Sequence, residues 1–287
     1  MSVRVCRPTP EVPVARAAAA RQDVGMPHRR DADVAVRCSD LSIARTGHGA
    51  AALRVIDGVS FALSHGRTMA VMGPTGAGKS SLAAVLAGSD DPSLAVVGGE
   101  AFVQGIGVRR PGRARRQLTY LVGFLPQSAG AALPARLTVG EVIGEPVTSR
   151  DRRVNPRALA VRVAALLDEL MLPLGAANKY PYELSAGMRQ RVAFARSLML
   201  QPKLLVADEP FANMDVEVRR ASRDAILRRR DAYGMCSLIV TNDAEVVRDF
   251  DADVLVLRGG HPIAYGHGTS DLLWTPSAEA DRRLLAS

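Results

Sequence analysis

With 287 residues, 47% of them hydrophobic and 23% charged, the chain can build a folded core, and its 4% aromatic content speaks against a base-stacking nucleic-acid surface. The formal charge of +8 is almost wholly arginine, lysine occurring only at positions 79, 179 and 203; charge alone leaves open a polyanion partner or a solvated face. No apolar run approaches the roughly 20 residues that span a bilayer. Three widely spaced cysteines, Cys6, Cys38 and Cys236, with no C-x-x-C pair, support neither a disulfide framework nor a thiolate metal site and fit a reducing compartment.

Residues 1–31 are rich in Ala, Pro and Arg without an apolar period, and are expected to be a disordered tail. Ala17 to Ala20, bounded by Arg16 and Arg21, is too short for a secretory core. Short β-type runs follow at Val34–Cys38, Val59–Leu63 and Thr68–Met72. A helix is expected over Gly78–Ala87, then strands at Ala101–Gln104 and Leu121–Leu125. Thr138 to Leu200 turns helical, with apolar positions at Leu159, Val163, Leu166, Leu167 and Leu170 and again at Val192, Phe194, Ala195 and Leu198. Strands resume at Leu204–Ala207, Leu238–Thr241 and Val254–Leu257, with a helix at Val216–Arg230. Such alternation favours a parallel sheet flanked by helices. The basic clusters at Arg109–Arg116 and Arg228–Arg230 read as solvated charge, the second on a helix face.

Gly73-Pro74-Thr75-Gly76-Ala77-Gly78-Lys79-Ser80 fits G-x-x-x-x-G-K-[ST] at every fixed position, after an apolar strand and before a helix. Glycines let successive N–H groups turn inward around phosphate oxygens, and the helix N-terminus adds partial positive charge. Lys79 then binds the β and γ phosphates, Ser80 places its hydroxyl on Mg²⁺, and Ser81 completes the nucleotide-binding set. Downstream, Leu204 to Ala207 ends in Asp208 and Glu209, two carboxylates that alternation sends in different directions. Asp208 is expected to hold Mg²⁺ and Glu209 to act as general base.

These two elements define a P-loop NTPase; the text between them narrows the class. Leu184-Ser185-Ala186-Gly187-Met188-Arg189-Gln190-Arg191 resembles the ABC signature LSGGQ-x-Q-R, with Ala186 and Met188 as departures. Ser185 and Gly187 keep the phosphate-facing positions. Gln127 looks like the Q-loop glutamine, and Asn213-Met214-Asp215 like the end of the D-loop. The wording Lys179-Tyr180-Pro181-Tyr182-Glu183-Leu184 before the signature, Leu137 to Glu141, and Asp215 to Val218 are similar to the dipeptide, oligopeptide and nickel importer ATPases.

The resemblance implies an α/β fold: a P-loop NTPase core with a mostly parallel sheet and an antiparallel β subdomain, carrying an inserted helical subdomain at about 128–200. The ATPase domain then spans 32–268, with a tail at 269–287. It implies an ATPase using ATP and Mg²⁺, with Gln127 sensing Mg²⁺ and the attacking water, and Ser185 and Gly187 meeting the partner's ATP. The implied partners are a second ABC ATPase subunit, integral-membrane permease subunits and an extracytoplasmic solute-binding protein, with peptide as cargo and no nucleic acid. The implied location is the cytoplasmic face of the membrane. A soluble ABC ATPase acting on nucleic acid or ribosomes, and a regulatory subunit with weak turnover, are the alternatives.

Two departures bear on rate and affinity. Thr241-Asn242-Asp243 stands where Thr-His-Asp is usual, and Asn242 can donate an amide hydrogen bond but cannot take up charge. Slow hydrolysis is the expectation. Arg45 occupies the position of the aromatic that usually stacks on adenine, either stacking through its guanidinium or lying solvated on the surface.

Overall fold

A computed structural model describes residues 33–46, 52–109, 112–212 and 214–274. The expected N-terminal tail therefore lies outside the described residues, as does Asn213. Two sheets and a helical layer organise the rest. The larger sheet has seven strands, with β3 (Thr68–Met72), β6 (Val122–Leu125), β7 (Leu204–Asp208), β8 (Cys236–Val240) and β9 (Asp253–Arg258) all parallel. Every residue of β3, β7 and β8 is buried, as continuous apolar runs must be when helices cover both faces of a parallel sheet. The strand order is β9-β3-β8-β7-β6, which puts β3 between two strands from late in the chain.

The smaller sheet is antiparallel, in the order β2-β1-β4-β5, from β1 (Val34–Arg45), β2 (Leu53–Ser64), β4 (Leu94–Val103) and β5 (Ile106–Gly107). Its three main strands run at least twice the expected length. Register shifts between Cys38 and Leu41 and between Ser39 and Ser42, with Asp40 left-handed at φ 52°, break the period-2 pattern on which the shorter reading relied.

The helical layer contains α3 (Val139–Thr148), α4 (Pro156–Glu169) and α5 (Ala186–Leu198). Each starts on a side-chain cap, from Thr138, Asn155 and Ser185 respectively. Thr138 and Glu141 form a reciprocal capping box, the Glu141 carboxylate accepting the Thr138 N–H at 2.7 Å. Inward-facing Leu166, Leu167, Val192, Phe194 and Leu198 belong to one apolar cluster with Leu205 and Ala207 of the sheet. Phe194 is fully buried; truncating such a ring to alanine costs about 3–5 kcal/mol.

Besides the two-residue β5, four elements escape a periodicity reading. The helix α2 (Arg113–Leu121) buries only Leu118, and α7 (Ala244–Asp249) has six residues. The strand β10 (His261–His267) extends the large sheet antiparallel to β9, and β11 (Asp271–Trp274) pairs antiparallel with β10. The segment 269–287, expected to be a tail, therefore contributes a strand at 271–274, and residues 275–287 lie outside the described residues. The pairing is tight because Gly266 has no Cβ, which would come 2.2 Å from the Asp271 carbonyl oxygen. Arg228 and Arg229 of α6 (Val216–Tyr233) are also not a free solvated face: both bind Glu169 of α4, at 2.8 and 2.7 Å. Burial works to raise the Glu169 carboxyl, and hydrogen bonds from Arg229 and Arg228 overcome it, leaving its pKa below the ordinary value.

At the opposite end of β3 from the phosphate loop, His267 bridges two aspartates, Nδ1 to Asp253 at 2.9 Å and Nε2 to Asp251 at 3.0 Å, with Arg67 beside all three. The hydrogen bond to Asp253 is the main reason its pKa lies above 6.5, assisted by the Asp251 and Asp253 charges. A histidine raised on folding contributes stability that is complete below its unfolded pKa and is lost as pH rises through the folded one. Replacing His267 with Asn is expected to flatten the decline of Tm above pH 6.5. A Tm–pH curve identical to wild type would remove the effect.

Candidate nucleotide site

Because β3, β6, β7 and β8 are parallel, their carboxyl ends share one edge, where open α/β sheets bind ligands. Gly73–Ser80 leaves β3, Gln127 follows β6, Asp208 ends β7 with Glu209 next, and Asn242 follows β8. The register aligns Val71 and Asp208 with the same residue, Val240. Segments more than 160 residues apart in sequence are thus joined: Asn242 Oδ1 accepts the Gly73 N–H at 2.9 Å.

The phosphate loop is wedged between β9 and β2. A Cβ at Gly73 would lie 2.0 Å from the Leu257 carbonyl oxygen, and one at Gly78 would lie 2.3 Å from that of Val55. Both residues have positive φ, 137° and 94°, so glycine is required twice over, for space and for conformation. Pro74 accepts the Ala77 N–H at 3.2 Å, closing the turn that carries Thr75 and Gly76. Gly78 supplies no side-chain cap to α1 (Lys79–Leu86), and the first turn carries no acid. The N–H groups that begin any helix without intrahelical partners are therefore left for an anion.

Lys79 folds back over the loop, its Nζ 2.6 Å from the Gly73 oxygen and 3.0 Å from the Pro74 oxygen. Desolvation lowers its pKa, against the pull of Glu209 and Asp208. Asp208 is buried and its carboxyl is raised by desolvation, although the Ser80 hydroxyl and Lys79 counteract this. Glu209 is raised by desolvation and by the Asp208 charge. Its φ of 51° is left-handed, a strained state for a residue with a Cβ, and its N–H donates to the Val240 oxygen at 3.0 Å. The site thus holds two reluctant anions and a reluctant cation, an arrangement that a polyanion with a cation would relieve.

Gln127 is exposed just past β6. Ser185 and Gly187 stand on the helical layer, away from the cradle; Ser185 accepts the Met188 N–H at 3.2 Å and so caps α5. The start of α5 is tied to the segment after Gln127 through Gln190, which accepts the Gly130 N–H at 3.2 Å. Asp215 caps α6 by accepting the Val218 N–H at 2.9 Å. Arg45 is exposed yet not free: its guanidinium reaches the Ser81 hydroxyl at 3.3 Å, which anchors it beside the phosphate helix. The sequence reading missed Arg219, which ion-pairs with Asp243 next to Asn242; nothing in local spacing links residues 24 apart.

A phosphate cradle with an acidic strand end beside it, on a parallel sheet bearing an inserted helical layer, defines an ATP-binding cassette. The chain belongs to the ABC transporter family, whose profile matches residues 56–212. It is 33% identical over 238 residues to the oligopeptide transport ATP-binding protein OppD of Mycobacterium bovis, covering 82% of this chain and 37% of that protein. To OppF of Escherichia coli it is 30% identical over 217 residues, covering 75% and 63%. The chain thus spans less than two thirds of the length of these relatives. The fold matches a solved dimer of the cassette MJ0796 bound to ADP and Pi, with a TM-score of 0.72 at 23% identity, over 81% of this chain and 98% of that one. No helix among the described residues is long and apolar enough to cross a membrane.

Proposed function

We propose that this chain is the ATP-hydrolysing subunit of a peptide importer, seated on the cytoplasmic face of a membrane permease that a solute-binding protein supplies. The observation that carries the reading is the convergence of four sheet-edge loops on one cradle, in a chain whose relatives are oligopeptide transport ATP-binding proteins. Two such chains, or this one and a related subunit, each clamp ATP between one cradle and the other's Ser185–Gly187 helix tip.

The hydrogen-bonded Ser80 hydroxyl and Asp208 carboxylate are hard oxygen donors suited to Mg²⁺, with Gln127 as a further oxygen ligand. Among the described residues no set of three or more His, Cys, Asp and Glu side chains can hold a metal, which fits an ion shared with phosphate oxygens. When bound, Mg²⁺ neutralises charge on the phosphates. Lys79 leaves the loop carbonyls for the β and γ phosphates, Gly76 and Gly78 offer backbone N–H groups, and Glu209 accepts a proton from the attacking water. Uptake of MgATP by the purified chain, measured calorimetrically, and ATPase activity in the co-expressed permease complex test the reading; failure to bind at millimolar nucleotide would end it.

Asn242 sets the rate of this site. Its Oδ1 is committed to the Gly73 N–H, which leaves the neutral Nδ2 as its donor toward phosphate. A side chain that can carry charge stabilises the transition state better, so Asn242→His is expected to raise turnover about tenfold. A rate unchanged in that variant would show that this position does not limit hydrolysis.

A further inference from the structure

The geometry points to Arg219 as a positioning residue for Asn242, its ion pair with Asp243 setting the turn that aims the Asn242 amide at the phosphate cradle. The consequence for turnover rests on the ATPase reading above; the effect on the turn does not.

Thr241, Asn242 and Asp243 connect β8 to α7, a helix too short to anchor its own start. Several bonds fix this turn. The Thr241 N–H donates to the Val71 oxygen at 3.1 Å, and the Thr241 hydroxyl accepts the Asp243 N–H at 3.1 Å. Asp243 uses its two carboxylate oxygens separately: Oδ1 accepts the Glu245 N–H at 2.8 Å and caps α7, and Oδ2 accepts from the Arg219 guanidinium. The last bond alone reaches a different helix.

Arg219 is held for that task. Its guanidinium carbon lies 5.9 Å from the centre of the Phe211 ring, and Phe211 stacks on Phe250 at 6.0 Å. Glu245 lies 3.6 Å from the same guanidinium nitrogen, so two acids of the turn face one arginine of α6. The backbone N–H of Arg219 bonds the carbonyl of Asp215, which caps that helix, so the two residues stand one turn apart. A tilt of the first turn of α6 is thereby passed through Arg219 and Asp243 to Asn242, and from Asn242 to Gly73. Partly exposed ion pairs contribute little to stability, so this pair's effect lies in the direction it gives the turn.

The test compares Arg219→Ala, Asp243→Asn, the double variant and Arg219→Lys, all in the full chain. Asparagine keeps the helix cap and removes the charge. Hydrogen exchange of the Gly73 amide, read by NMR without nucleotide, is expected to quicken about tenfold in each single variant and no further in the double one. Turnover is expected to fall by a similar factor with the KM for ATP within about twofold, and Arg219→Lys to recover part of it. Unchanged Gly73 exchange in both single variants overturns the inference, as does a double variant whose effect is the product of the two. Should Arg219→Ala fail to fold, Asp243→Asn decides alone on the same amide. If the wild-type chain takes up no MgATP, the ATPase reading fails, while the exchange measurement still decides the role of Arg219.

Discussion

Replacing Glu209 with Gln is expected to lower ATP turnover by about 10²-fold or more, the typical contribution of a general base, with MgATP affinity little changed. Glutamine fills the same volume and keeps the left-handed backbone with its bond to Val240, so the turn after β7 persists. Only the proton acceptor is removed. A second consequence separates this account from simple damage to the site. Burial, and then the neighbouring Asp208 charge, raise the Glu209 pKa above 4.5. A carboxyl raised on folding stabilises below its unfolded pKa and loses that contribution as pH rises through the folded value. At neutral pH the ionised Glu209 therefore burdens the nucleotide-free protein, and the Gln variant should melt higher while turning over less. Turnover within threefold of wild type would remove Glu209 from the role of base.

The candidate nucleotide site was largely legible in the sequence because its residues sit on elements whose signals are local. The phosphate loop is contiguous and bounded by an apolar strand, β3, whose five residues match the expected limits. Asp208 and Glu209 were legible because an apolar run leads straight into two adjacent carboxylates, although the first of them is itself the buried last residue of β7. What the sequence hid is what depends on contacts between distant segments. The β1 and β4 strands continue through bulges at Asp40 and Gly98 that interrupt the alternation. The strands β10 and β11 have no strong alternation of their own and exist because β9 offers an edge to β10, and β10 in turn to β11. Arg228 and Arg229 read as solvated because Glu169, their counter-ion, lies about 60 positions away on another helix. The Arg219–Asp243 pair is hidden for the same reason. Arg45 is an intermediate case: the resemblance singled out its position, but the tether to Ser81 needed the fold.

Lys79→Met is the other substitution with a large expected effect, weakening MgATP binding on the order of a hundredfold, since a hydrogen bond to a charged group contributes about 1.5–3 kcal/mol and one factor of ten is 1.4 kcal/mol. The ammonium is already half-desolvated over the Gly73 and Pro74 carbonyls, a state that lowers its pKa. Exchanging two neutral carbonyl acceptors for phosphate oxygens replaces weak partners with charged ones, and little further dehydration is needed because the loop has already stripped the group. Methionine keeps the aliphatic stem and the packing of α1, so a loss of affinity with intact folding isolates the charge. Lys79→Arg adds the complementary control: it retains the charge, but a planar fork cannot sit where a point-like ammonium bridges two carbonyls, and the loop is too tightly wedged against Leu257 and Val55 to widen for it. Arginine is therefore expected to rescue little. Equal affinity of wild type and Lys79→Met in titration calorimetry would mean that the glycine loop and the α1 terminus hold the phosphates without it.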